Sequence, residues 1–126
     1  MSVQEAASLA DLQQIFASNT YVVVDFTAAW CGPCKMIAPE YKKMAAQHGA
    51  EGHFAFVKVD VDVAKDVSKA YGVRAMPTFM FFKEGKQVTV HGQLQIQGAN
   101  LAALKAAADK MGGLAAARKA AAEGTA

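Results

Sequence analysis

Residues 25–41 read DFTAAWCGPCKMIAPEY, and they join the end of one periodicity to the start of another. Just upstream, residues 21–26 (YVVVDF) form a β-branched and aromatic run, the pattern of a strand covered on both faces. Downstream, Met36, Ile37, Tyr41 and Met44 recur at helical spacing, so residues 31–48 are expected to form a helix that Pro39 kinks rather than ends. Both cysteines of the chain, Cys31 and Cys34, lie at that junction.

Working outward, Leu9, Leu12, Ile15 and Phe16 mark a helix capped by Ser8. A second strand is read at 54–61, and a short helix at 64–71 stopped by Gly72. Strands at 78–82 and 87–91 flank the turn residues Glu84 and Gly85, hence a hairpin. A short strand at Val3 completes the sheet. A last helix is expected over 99–111, ended by Gly112-Gly113. Such alternation gives an α/β fold, a central mixed sheet of four to five strands with helices on both faces. The division expected is a domain over residues 1–111 and an alanine-rich tail over 112–126. The tail has helix propensity but little to bury, so it is expected to be frayed or partly helical.

A chain of 126 residues, 53% of them hydrophobic, is long enough for one domain with a real core. A net charge of +2 gives no reason to expect nucleic acid or an anionic membrane as partner. No apolar run approaches the roughly 18 residues of a membrane span. Residues 1–34 contain no Lys or Arg, whereas a signal or transit peptide needs basic residues, so a cytoplasmic location is expected. There thiols are kept reduced, which bears on the cysteine pair.

Three uses of that pair compete. As a staple, a four-residue loop contributes roughly 2 kcal/mol against about 4.7 for a 100-residue loop, little for a domain with its own core. As a metal site, Cys31, Cys34, His48 and His53 match C-x2-C-x13-H-x4-H. A helix from 34 to 48, however, separates its ends by roughly 21 Å, whereas ligands sit about 2.0–2.3 Å from one ion. No metal site is therefore expected. As a redox pair, residues three apart on a helix face one another within reach of a bridge. Cys31 falls at the helix N-terminus, where free N–H groups and the positive dipole end stabilise a thiolate. Gly32 permits a tight turn, and Pro33 suits a first helical turn. Cys31 is thus expected to be the exposed nucleophile and Cys34 the shielded, resolving partner.

The stretch Val24-Asp25-Phe26, the WCGPCKM segment from Trp30 to Met36, Met76-Pro77-Thr78 and Phe81-Phe82-Lys83-Glu84-Gly85 together resemble the thioredoxins. The likeness is to the small cytosolic reductases of eukaryotes and covers roughly residues 3–110. It implies the thioredoxin fold and a thiol–disulfide oxidoreductase that reduces protein disulfides and holds no cofactor. A thioredoxin reductase drawing on NADPH would recycle the oxidised pair. The protein would act as a monomer. It also implies site roles. Asp25, a costly charge in an apolar run, would exchange the proton of Cys34, with Lys58 as its charge partner. Trp30 would pack as a lid over the disulfide and join the docking surface with Gly32, Pro33, Met76, Thr78 and Gly92. Pro77 would be cis, leaving the Met76 backbone free to pair with an extended substrate. The segment from Gly92 to Leu101 is about two residues longer than usual. Pro33, unlike a His there, cannot stabilise the thiolate, which favours reductase over oxidase; 30 mV is about 1.4 kcal/mol for this couple. An alternative function is a binding module that regulates a partner through its cysteine face without turnover.

Overall fold

The computed structural model describes residues 2–124. In chain order its elements are β1 (Gln4–Glu5), α1 (Leu9–Ser18), β2 (Tyr21–Thr27), α2 (Gly32–His48), β3 (Phe54–Asp60), α3 (Lys65–Ala70), β4 (Thr78–Lys83), β5 (Lys86–Val88), β6 (Gln95–Gln97) and α4 (Leu101–Gly124). Ser8 caps α1 as its sequence position suggests: its side chain accepts from Asp11 N at 3.1 Å, and Asp11 accepts in return from Ala7 N at 3.0 Å.

The sheet runs β1-β3-β2-β4-β5, with β1, β3 and β2 parallel and β4 antiparallel to β2. Alternation along the strands sorts the core into two layers. Tyr21, Val23, Phe54, Phe56, Phe79 and Phe81 face Ile37 and Met44 of α2 and Leu104 and Met111 of α4. Val22, Val24, Phe26, Val57, Met80 and Phe82 face α1 and α3 through Leu12 and Val67. Asp25 and Lys58, paired across β2 and β3, share the parity of the first set and so lie on the α2 side. The turn from β4 to β5 has Glu84 at φ 53° and Gly85 at φ 78°, the left-handed pair that a two-residue hairpin turn requires.

The edge strand departs from the sequence reading. A single strand over 87–91 is not found. Phe81 pairs with Val88, but the next residue, Met80, pairs with Gln95, so residues 89–94 leave the ladder. They form a small excursion closed by Val90 and Gln93, which exchange backbone bonds of 2.9 and 3.0 Å around His91 and Gly92, both at positive φ. β6 then resumes pairing with β4. The sheet is still five strand positions wide.

The C-terminal helix also departs from expectation. Gly112-Gly113 does not end it; α4 continues to Gly124, so no element boundary falls at 111/112. Gly112 is buried because α4 crosses the end of α2 there: a Cβ built at 112 would clash with the edge of the His48 imidazole, 2.9 Å from Cγ. His48 Nε2 in turn lies 2.8 Å from Asp109 Oδ1. Tertiary contact thus recruits a glycine that propensity alone reads as a stop. Ala115, 1% exposed, still belongs to the core, while residues 116–124 are exposed. The buried part of α4 therefore ends at Ala115, and of the expected tail residues 125–126 lie outside the described residues. The two glycines should respond oppositely to alanine. Gly112→Ala overpacks the crossing and is expected to cost about 1–3 kcal/mol. At Gly113 an added Cβ meets nothing within 4 Å, so Gly113→Ala should stabilise by about 0.5–1 kcal/mol. Paired urea denaturations check both.

Candidate active site

β2 ends at Thr27 and α2 begins at Gly32, which puts Cys31 in the N-cap position with extended backbone (φ −87°, ψ 112°). Cys31 and Cys34 are joined as a disulfide with a Cα–Cα distance of 5.3 Å. The Cys34 N–H donates to Cys31 Sγ at 3.2 Å, so the first turn of the helix already directs a backbone donor at that sulfur. The same donor favours negative charge on Cys31 once the pair is reduced.

Residue exposure does not separate the two cysteines. Cys31 is 5% exposed and Cys34 3%, so the exposed nucleophile expected from sequence is covered in the disulfide form. Ala28, Val61 and Met76 pack against the pair. The asymmetry is instead one of position, with Cys31 at the helix end and Cys34 inside the first turn. Trp30 is 68% exposed, and its Nε1 donates to Asp62 Oδ2 at 2.9 Å. Asp62 was not among the expected site residues. Gly32 is not forced by the backbone, because its φ is not positive and an added Cβ would meet nothing within 4 Å.

The Met76-Pro77 bond is cis, and Met76 O lies 3.6 Å from Cys31 Sγ. Among the described residues Met76 takes part in no backbone–backbone hydrogen bond. Thr78 faces the other way: it is 1% exposed, and its hydroxyl donates to Ala75 O at 2.6 Å, fixing the turn rather than presenting itself to a substrate. Gly92 is not at the site. The glycine beside Pro77 is Gly98, whose N–H donates to Pro77 O at 2.8 Å, whereas Gly92 sits at the tip of the 89–94 excursion. The signal for Gly98 was present in Asn100, whose Oδ1 accepts from Ala103 N at 3.1 Å as the cap of α4. The glycine just before that cap is Gly98.

Asp25 is 3% exposed, and its Oδ1 has no hydrogen-bond partner among the described residues. It lines a cavity of about 220 Å³ together with Ala38, Tyr41 and Lys58. Ala38, which shares that cavity with Asp25, lies four residues after Cys34 on the same face of α2. Burial raises the Asp25 pKa from 3.8 to about 7, and the positive charge of Lys58 offsets part of that rise. Lys58 itself is exposed and makes no ion pair with Asp25. The two-residue β1 beside it leaves its long side chain a way to water. The Tyr41 hydroxyl lies 3.0 Å from Val23 O and 2.8 Å from Val57 O and shares its one proton between these carbonyls of β2 and β3, near Asp25. Its phenol is pushed above its ordinary pKa by burial and by the Asp25 charge.

Comparison with known proteins agrees with this geometry. The thioredoxin family model matches residues 3–110. A thioredoxin-like protein of Fusarium culmorum is 54% identical over 113 residues, 90% of this chain and 93% of that one. A thioredoxin of Neurospora crassa is 50% identical over 121 residues, 96% of this chain and 91% of that one. Among solved structures, the thioredoxin of Malassezia sympodialis superposes with a TM-score of 0.77 at 38% identity, covering 88% of this chain and 91% of that one.

Proposed function

The chain belongs to the thioredoxin family, and on that premise we propose that it is a protein disulfide reductase in which Cys31 attacks and Cys34 resolves. Thiol–disulfide exchange through the Cys31–Cys34 pair follows from the family and the bonded cysteines. In the first step the Cys31 thiolate attacks one sulfur of a substrate disulfide, forming a mixed disulfide and expelling the other sulfur as thiolate. An extended substrate segment pairs with the Met76 backbone, with Trp30, Pro33 and Gly98 around it. In the second step Asp25 takes the Cys34 proton, directly or through water. Cys34 then attacks Cys31 Sγ, closing the intramolecular disulfide and releasing the reduced substrate. A carboxyl with a pKa of about 7 is well placed for that exchange at neutral pH.

Electrons return from a thioredoxin reductase that draws on NADPH, and the domain itself needs no cofactor. The partners are that reductase and disulfide-containing proteins, not nucleic acid or membrane, and the protein works as a cytoplasmic monomer. Among the described residues no helix is long and apolar enough to cross a membrane. The observation that carries the reading is Cys31 Sγ at the N-terminus of α2, 3.6 Å from Met76 O. The test is insulin reduction with NADPH and thioredoxin reductase. The chain should precipitate the insulin B chain and consume NADPH in proportion; binding of insulin without NADPH consumption would favour a non-catalytic module.

A further inference from the structure

The edge excursion and the continued C-terminal helix meet at one place. Residues 88–91 and the α4 segment from Lys110 to Leu114 form two walls of a cavity of about 250 Å³, closed by Tyr21 and Lys83. Tyr21 begins β2 and Lys83 ends β4, so the cavity lies at the opposite end of the sheet from the disulfide, which follows the end of β2. His91 holds the excursion against α4, its Nε2 3.3 Å from Ala106 O.

The chemistry of the walls is mixed in one sense only. Val90 and Met111 are buried core side chains, and Leu114 is a half-exposed apolar residue beside them. The charged residues are Lys83 and Lys110, and no Asp or Glu lines the space. Neither lysine makes an ion pair among the described residues; the nearby acids are engaged elsewhere, Glu84 with Arg118 at 3.8 Å and Asp109 with His48 at 2.8 Å. The Lys83 ammonium stands 6.0 Å from the Tyr21 ring centroid, at the boundary of the apolar wall. An apolar recess bordered by two unneutralised ammonium groups complements a molecule with one apolar end and one negative end.

We infer that this recess is a binding site for a small amphiphilic carboxylate, its apolar body against Val90, Met111 and Leu114 and its charge toward Lys83 and Lys110. The volume equals about eight waters, which suits a short alkyl or aryl chain. Binding here leaves the disulfide face free, so it is independent of the reductase reaction.

Sodium octanoate is the probe, titrated into the ¹⁵N-labelled full chain. Amide shifts should saturate, with a Kd on the order of 1 mM, at residues 83, 88–91 and 110–114, while residues 30–34 and 76–77 stay in place. The double variant Lys83→Gln, Lys110→Gln should weaken octanoate at least about fivefold while keeping its unfolding midpoint and insulin reduction. Octyltrimethylammonium should give no saturable shift. Equal binding of octanoate to parent and double variant would overturn the inference. So would an equal response to uncharged 1-octanol, or octanoate shifts that are scattered or absent at about 10 mM.

Discussion

Replacing Cys34 by Ser is expected to stop turnover and leave the protein covalently attached to its substrate. Cys31 keeps its place at the helix end and its attack on a disulfide, but the mixed disulfide has no neighbouring thiol to resolve it. In the parent that thiol is held within one turn, at a Cα–Cα distance of 5.3 Å. Well-oriented intramolecular groups reach effective molarities of about 10⁵ M and above, so an external thiol at millimolar concentration does not replace it. Multiple-turnover reduction should fall by at least about a thousandfold, and non-reducing gels should show new high-mass bands that dithiothreitol removes. Cys31→Ser should be as inactive but trap nothing. The reverse pattern would exchange the two roles.

Asp25→Asn is expected to make the protein more stable and slower. The folded pKa of about 7 lies above the ordinary 3.8, so between those values the native state holds a proton that the unfolded chain has released. Stability of the parent therefore falls as pH rises from about 4 to about 7, then levels off. The gap corresponds to about 4 kcal/mol of stability lost above pH 7. An Asn carries no charge to desolvate, though its amide meets the same lack of a partner at Oδ1, which takes back about 1–3 kcal/mol. The variant should thus unfold about 5 °C higher than the parent at pH 8 and show little gain at pH 4. Its resolving step should slow about a hundredfold at neutral pH, the usual worth of a positioned base. A stability gain that does not change between pH 4 and 8 would mean that Asp25 is ionised throughout. Equal turnover across pH 6–8 would remove it from the mechanism.

Those expectations rest on features that differ in how far the chain announces them. Alternation in Tyr21–Thr27 and Phe54–Asp60 was readable because burial on both faces leaves long apolar runs, and the parity that puts Asp25 and Lys58 on the α2 side follows from counting. The Cys31 N-cap was readable because a strand, a Pro at the start of a helix and a helical period meet there. What failed depended on contacts between distant segments. Gly112 looks like a stop until His48, 64 positions earlier, is seen to occupy the space where its Cβ would be. The resemblance puts Gly92 on the docking surface, with a single strand expected over 87–91. Where β6 rejoins β4 is set by Ile96 entering the core opposite Phe79, which local spacing does not encode. Lys58 shares the inward parity, yet only the shortness of β1 reveals that its ammonium reaches water.

The account turns on an inequality between two buried cysteines, and alkylation of the reduced protein by iodoacetamide across pH, read by peptide mapping, tests it most directly. Cys31 should be labelled first, with a rate that titrates clearly below the ordinary thiol value of about 8.5. Cys34 should stay unlabelled until the chain unfolds. Labelling of Cys34 ahead of Cys31, or equal labelling of both with a midpoint near about 8.5, would contradict the account.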